Sequence, residues 1–513
     1  MFKSFAFRIY IVALILRLIP VIAARGLGIG LDDMFQYDML ARSLAQGNGF
    51  RWYAELDLLQ LASYVDFDLS SVNEYDPILG VPTSFRAPLY PTFLAIVYFF
   101  NGIDFSRFFA ARLAQAIFLG APLAPLTYFV ALRLFPLPSG EGRVRGDRAA
   151  CLSAWLVAAY PLLLVYPLGL GTENPFFVLL LASFLFLLSS IEKPTIFNLL
   201  ASGLLLGLTA LTRSVILPFA GLAILYLIFF RQPRTSFAST PPEDQSPGYS
   251  YKAVLRRLNL KAIWILIAFF AVVAPWVIRN SLLHEKLTGI ETSMGYNLYL
   301  GYHPQGNGSF VFGPSLDLLT ILDDAERDRI GTEKAIGFIE AQPERFVPLA
   351  LNRLGFFFGL EKRVLMYFYG NDLVGFIPLP ILLTISAILL LPFVLISTSA
   401  TPGLSLLRWK PEHILLGLLF VGYITPHVFI LAEDRFHLAL VPYLAILAAQ
   451  FWANGNDSMT ARWKESSTGK TLVISSIILL FLLITNWGLE LVRDWDKITQ
   501  LLGPTGNQSY FPY

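Results

Sequence analysis

The sequence predicts an all-α polytopic membrane protein, and three observations carry that prediction. The chain of 513 residues is 55% hydrophobic, with a mean hydropathy of +0.60. Only 14% of its residues are charged, against about 25% in a soluble domain. Apolar runs repeatedly reach the ~18–20 residues that cross a hydrocarbon core. The net charge of +2 leaves no footprint for nucleic acid, which is not expected as a partner. The lone cysteine, Cys151, excludes an intrachain disulfide.

The elements follow in order. Lys3 and Arg8 flank the start of the first apolar run, 5–24, which lacks a small-residue cleavage site and reads as an uncleaved span. Further spans are expected at 107–135, 149–168, 174–190, 198–213, 214–230, 261–279, 373–397, 412–431, 436–452 and 471–490. This gives eleven spans, within an expected total of about 11–13 transmembrane helices. Basic residues gather at Arg143, Arg145 and Arg148, at Arg231 to Arg257, at Arg408 and Lys410, and at Arg462 to Lys470. Placing these in the cytoplasm puts the N-terminus there too. "PLYPTFLAIVYFFNG", 88–102, then cannot cross without turning Arg143–Arg148 outward, so it reads as a helix lying in the outer leaflet. The first external segment therefore spans 25–106 and the second 280–372, with 347–360 again along the interface. Residues 231–260, rich in Pro, Ser and Arg, read as a cytoplasmic linker. The chain thus divides into a module 1–230 carrying the first external loop (25–106), the linker 231–260, and C-terminal helices 261–513 with the external segment 280–372.

The stretch "GIGLDDMFQYDMLARSLAQGNGF", 28–50, holds two adjacent acids at a helix start. Tyr37, Leu40, Ala41 and Leu44 recur at i, i+3, i+4 and i+7, an amphipathic stripe that Gly47-Asn48-Gly49 ends. Asp32 suits the N-cap, where its carboxylate would accept a free backbone N–H. Asp33 is the candidate general base, because a helix on the outer face sets its first turn at head-group level beside any lipid-borne substrate. Glu173, in "GTEN" beyond the third span, is the second candidate acid, since ionisable groups near a membrane core are costly and tend to be functional. Arg86, Arg213, Arg279 and Arg435 fall at outer helix ends, where a guanidinium fork suits phosphate oxygens, though snorkelling explains the same placement. Arg435 has Glu433 and Asp434 as neighbours, and His437 is a further phosphate candidate. Residues 51–86 carry Glu55, Asp57, Asp66, Asp68, Glu74 and Asp76 with Trp52, Tyr53, Tyr64 and Tyr75. They read as a solvated loop, or as a flap over the acceptor.

In order along the chain, Asp33 with Tyr37, Ala41-Arg42 and "GNGF", then "FRAPLYP" (85–91), "YPLGLGTENPF" (166–176), "GLLLGLTALTRSVILP" (203–218), "APWVIRN" (274–280), "IEAQPERF" (339–346) and "RFHLALVPY" (435–443) form a colinear series. The series resembles the GT-C superfamily of membrane glycosyltransferases, in its bacterial branch related to dolichyl-phosphate-mannose protein mannosyltransferases and aminoarabinose transferases. The resemblance implies a GT-C fold with interfacial helices in the first external loop. It implies an inverting transfer of a sugar from a polyprenyl-phosphate carrier to a protein, lipid or glycan acceptor, in a bacterial inner membrane and on its periplasmic or exterior face. Asp33 and Glu173 would be catalytic; Arg86, Arg213, Arg279, Arg435 and His437 would hold the donor phosphate; Asp32, Tyr37 and Tyr90 would line the substrate pocket. The aminoarabinose transferases carry acid-lysine-proline where this chain has "FRAP", so Arg86 stands in the acid's place.

The chemistry fits those residue types. A phosphate leaves as a stable anion, so one base and several cations suffice, without the second carboxyl that a glycosidase needs. In relatives such an acid pair organises the acceptor or a divalent cation, Mg or Mn. Asp33 and Glu173 alone are too few for a hard ion that wants about six oxygens, so the metal stays open. The competing class is a transporter or flippase of polyprenyl-linked sugars. That class calls for paired repeats and midplane charges, whereas these candidates cluster at one face.

Overall fold

The computed structural model describes residues 4–69, 72, 75–135, 141–229 and 260–510, and the expected linker 231–260 lies almost wholly outside them. Helices dominate, and the two strands, Arg51–Trp52 and Val81–Pro82, pair antiparallel. Eight helices among the described residues are long and apolar enough to cross a membrane: Phe5–Ala23, Arg107–Leu134, Glu173–Glu192, Leu260–Leu283, Leu379–Leu404, Pro411–Phe429, Phe436–Gly455 and Ser467–Arg493. A bent pair, Gly146–Ala158 and Pro161–Leu168, makes a ninth with a 53° break. These correspond to nine of the eleven expected spans.

The other two, expected at 198–213 and 214–230, are the shorter apolar helices Ile196–Ala210 and Ser214–Phe229. At 1.5 Å per residue each is short of the ~30 Å core. The chain breaks between them, at an extended Arg213 (φ −150°, ψ 116°). Leu89–Asn101 is 13 residues long and ends at Gly102, whose φ of +86° stops the helix. It buries Tyr90, Leu94 and Tyr98 and exposes Ile96, Phe99 and Phe100, which suits a helix lying between protein and acyl chains.

The broken helix has a named support. Its first half ends in carbonyls that the break leaves unpaired. Arg17, fully buried on the first span, donates to Ala13 O (3.0 Å), Ala158 O (3.2 Å) and Val157 O (3.3 Å). Pro161 opens the second half at its first helical position. A Cβ on Gly120 would lie 2.8 Å from Arg17 Cδ, so the glycine makes room for that side chain.

The segments 25–106 and 280–372 are knitted together although 240 residues of chain separate the joined groups. Asp324 accepts from Ser84 N (2.7 Å) and Thr83 Oγ1 and pairs with Arg327 (3.0 Å). Thr292 N donates to Ser84 O (3.0 Å), and Arg279 Nη1 donates to Thr83 O (2.6 Å). Asp324→Ala would leave the Arg327 guanidinium buried without its counter-ion. A loss of about 3–5 kcal/mol is expected, read as a lower melting temperature of the detergent-purified protein.

The basic loops set a second expectation. Ser139 lies outside the described residues, in the segment expected to be cytoplasmic. A cysteine placed there, with Cys151 replaced by serine, is expected to react with an impermeant thiol reagent only after cells are opened. Labelling of intact cells would turn 88–102 into a span.

Candidate active site

A cavity of about 1520 Å³ opens between the segments 25–106 and 280–372 and the adjoining ends of the spanning helices. The helix Asp33–Ala45 enters it with its N-terminus first. Asp32 is the N-cap and accepts from Met34 N (2.9 Å), the capping role its position suggested. Both acids line the cavity, and the Asp33 side chain is 44% exposed to it. The loop after Val81–Pro82 brings Arg86 onto Asp33, where the two form an ion pair. Gln36, one turn along the helix, accepts from Arg86 Nε (2.9 Å) and Nη2 (2.6 Å). The guanidinium sits over the Phe85 ring at 5.0 Å and the Tyr37 ring at 5.3 Å, so its fork is held in one plane.

Three further segments close the ring of charge. Glu173 starts its helix and pairs with Arg213 (2.8 Å). Arg435 reaches Glu433 (2.8 Å), Glu173 (3.8 Å) and Asp33 (3.8 Å). Arg363 reaches the same Glu433 (2.6 Å). The result is an alternating chain, Arg86–Asp33–Arg435–Glu173–Arg213, with Glu433 and Arg363 as a branch. Burial pushes Asp33 up, but the Arg86 and Arg435 guanidiniums outweigh it and hold the carboxyl below its usual range. Glu433 is likewise pushed up by burial and pulled down further by Arg435 and Arg363, to about 2. A depressed carboxylate stabilises the fold fully above its unfolded-state pKa, so the contribution of Glu433 is lost progressively as pH falls from 4.5 through about 2. Burial drives Asp434 the other way, as burial with the neighbouring Asp33 does Asp32.

Local structure fixes the turn that carries Glu173. Residues Gln115–Gly120 form a π-helical turn, a form that often marks a functional region. From it Gln115 donates to Pro167 O (3.0 Å) and Gly169 O (3.2 Å) and accepts from Tyr90 Oη (2.7 Å) and Asn174 Nδ2 (3.2 Å). Asn174 also donates to Gly169 O (3.1 Å).

The structure brings Asp32, Asp33, Tyr37, Arg86, Glu173, Arg213 and Arg435 onto one cavity wall. It does not bring the other three candidates there. Tyr90 is fully buried behind the wall, its hydroxyl spent on Gln115. Arg279 gives its donors to Thr83 O and Asn280 Oδ1 and lies 4.8 Å over Trp276. His437 is completely buried between Phe357 O (2.7 Å) and Glu361 (2.9 Å). All three are placed by partners far away in sequence. In residues 51–69, read as a solvated loop or a flap, Trp52 and Tyr53 are buried with Phe85, Leu56 and Leu59 are exposed, and Tyr64, Val65 and Phe67 line the cavity. Gln36, Glu291, Arg363 and Glu433 were not among the candidates. "EKR" at 361–363, charged within an apolar surround, was the available signal for Arg363.

The donor set does not suit a divalent cation. Each of the two candidate acids already faces guanidiniums, and no group of three or more His, Cys, Asp or Glu among the described residues would hold a metal. Positive charge at this site comes from arginine.

Residues 87–242 match the family model for dolichyl-phosphate-mannose-protein mannosyltransferase. The match covers less than a third of the chain of 513 residues. The match includes Glu173 and Arg213 but not Asp33, Arg86 or Arg435, whose grouping rests on the geometry. Among solved structures, the chain is similar to the oligosaccharyltransferase of Archaeoglobus fulgidus in complex with zinc and sulfate, at 13% identity and a TM-score of 0.45, over 99% of this chain and 58% of that one. It is also similar to ArnT of Cupriavidus metallidurans bound to undecaprenyl phosphate, at 12% identity and a TM-score of 0.36, over 89% and 79% of the two chains. The apo form of ArnT matches at 13% identity and 0.33, over 90% and 81%. The chain thus spans little more than half the length of the oligosaccharyltransferase. No curated protein matches it in sequence.

Proposed function

We propose that this protein is an inverting glycosyltransferase that moves a sugar from a polyprenyl-phosphate carrier to an acceptor hydroxyl at the outer face of a bacterial inner membrane. The acceptor belongs to a protein, a lipid or a glycan. The observation that carries the reading is the placement of Asp33, a cavity-exposed carboxylate held by Arg86 and Arg435 within one alternating chain of charge.

The donor phosphate takes up the guanidiniums of Arg86 and Arg435. Asp33 is then released from their field, its pKa rises, and it becomes a better proton acceptor. The acceptor hydroxyl gives its proton to Asp33 while its oxygen bonds to the anomeric carbon from the face opposite the phosphate. The bond between that carbon and the phosphate oxygen breaks, and the electron pair leaves on the phosphate, where arginine holds the growing charge. Glu173 fixes Arg213 and Arg435 in the correct spacing.

The test is incubation of purified protein with polyprenyl-phosphate sugar labelled in the sugar. Release of free polyprenyl phosphate with inversion at the anomeric carbon is expected, and a transporter would leave the carrier intact. Because arginine supplies the positive charge, turnover is expected to persist in excess EDTA. Loss of activity on chelation, with recovery on adding Mg or Mn, would overturn the arginine-only account.

A further inference from the structure

Three buried side-chain atoms on the cavity wall have no hydrogen-bond partner among the described residues: Glu361 Oε2, His427 Nε2 and Arg435 Nε. The last still has its charge matched by Glu433 (2.8 Å). Glu361 is different. It is 1% exposed, and one oxygen does all the bonding. Oε1 accepts from Tyr160 Oη and faces His437 Nε2 at 2.9 Å. His437 Nδ1 must carry a proton, because its partner Phe357 O, 2.7 Å away, can only accept. The ring is also stacked on Phe393, with centroids 4.1 Å apart. Glu361, in the loop after Phe346–Phe357, is therefore clamped from two other elements: the break in the bent helix at Tyr160 and the turn Phe436–Leu440. A carboxylate oxygen buried without a donor costs at least as much as any lost buried hydrogen bond. Glu361 lines the cavity two residues before Arg363, and the clamp on Oε1 leaves Oε2 with no hydrogen-bond partner among the described residues.

We infer that Glu361 is a sugar-binding residue, whose Oε2 accepts a hydrogen bond from a hydroxyl of the sugar carried by the donor, with Tyr160 and His437 as its positioning residues. The inference rests on the donor reading above. The phosphate end of the donor belongs to the arginines, and a carboxylate would repel it. What Glu361 offers instead is a strong, fixed acceptor for a hydroxyl, and such charge-assisted bonds are among the strong ones. It sets which sugars fit, leaving the carrier's own grip unchanged.

The experiment compares two kinds of probe on full-length protein in detergent: bare undecaprenyl phosphate, and undecaprenyl phosphate carrying mannose, glucose or galactose. Wild-type protein is expected to bind at least one loaded carrier more tightly than the bare one. Glu361→Leu keeps the bulk and removes the acceptor; it is expected to lose that preference by about tenfold or more with bare-carrier affinity unchanged. Glu361→Gln, which retains an amide oxygen, is expected to keep part of it. Unchanged preference in Glu361→Leu overturns the inference, as does an equal weakening of bare and loaded carriers, which would make Glu361 only a structural support. Equal wild-type affinity for bare and loaded carriers overturns it as well. Wild-type protein that binds no undecaprenyl phosphate overturns the donor reading itself, and this inference with it.

Discussion

Replacing Asp33 with asparagine is expected to cut sugar transfer by about 10²–10⁴ while the protein still folds and still binds its donor. Asparagine is nearly isosteric and tolerated at a helix start, so it removes the proton acceptor with little else. Its effect on donor affinity has a definite sign. Asp33 neutralises Arg86 in the resting site, so Asp33→Asn frees a guanidinium and donor binding should be unchanged or tighter. Single-turnover kinetics separate the two terms, since the loss should fall on turnover and not on donor affinity. Asp32→Asn keeps its cap to Met34 N and should change little. The wild-type pH profile provides a second check. The Asp33 carboxyl is held below its usual range in the resting enzyme. The free-enzyme profile, kcat/KM against pH, should therefore stay flat on the acid side until pH falls below the ordinary aspartate value of about 3.9. If Asp33→Asn turns over normally, Glu173 becomes the candidate base.

Arg435→Ala is expected to abolish measurable donor binding, and Arg86→Ala to weaken it by about 10–100-fold, the range for a hydrogen bond to a charged group. Arg435 is the more severe case because it faces three carboxylates, Asp33, Glu173 and Glu433. Its removal leaves Glu173 and Glu433 in a buried site with one guanidinium each, Arg213 and Arg363, and the phosphate then meets net negative charge. Arg435→Lys should rescue little, since an ammonium cannot span the same partners as a planar fork. Binding of undecaprenyl phosphate by calorimetry measures both. Unchanged affinity in the two variants would make these arginines anchors at the head-group level.

Much of the architecture was legible because it depends on quantities that a single chain displays. Apolar run length gave nine long spans, and the shortness of 88–102 showed as a 13-residue helix. The position of Asp33 at a helix start was legible because helix-start signals are local in sequence, and that helix start faces the cavity. The three candidates that do not line the cavity share a cause. Arg279, His437 and Tyr90 sit in the expected motifs, but what a donor group does depends on which acceptor is nearest in space. Theirs are Thr83 O, 196 residues away, Phe357 O, 80 away, and Gln115, 25 away. No periodicity encodes those pairings. Arg363 escaped notice for the same reason: its meaning comes from Glu433, 70 residues further on.

The clip between Asp324 and residues 83–84 also constrains how the molecule is made. A chain leaving the ribosome can pair Arg86 with Asp33 and Gln36 early, but residues 83–84 lack their remaining partners until Thr292 and Asp324 follow. By then the helices from Arg107–Leu134 to Leu260–Leu283 have been inserted. Contacts of such long sequence separation form late. The chain of charge, which also needs Arg435, is thus assembled near the end of biogenesis, and partly synthesised chains lack the complete cavity.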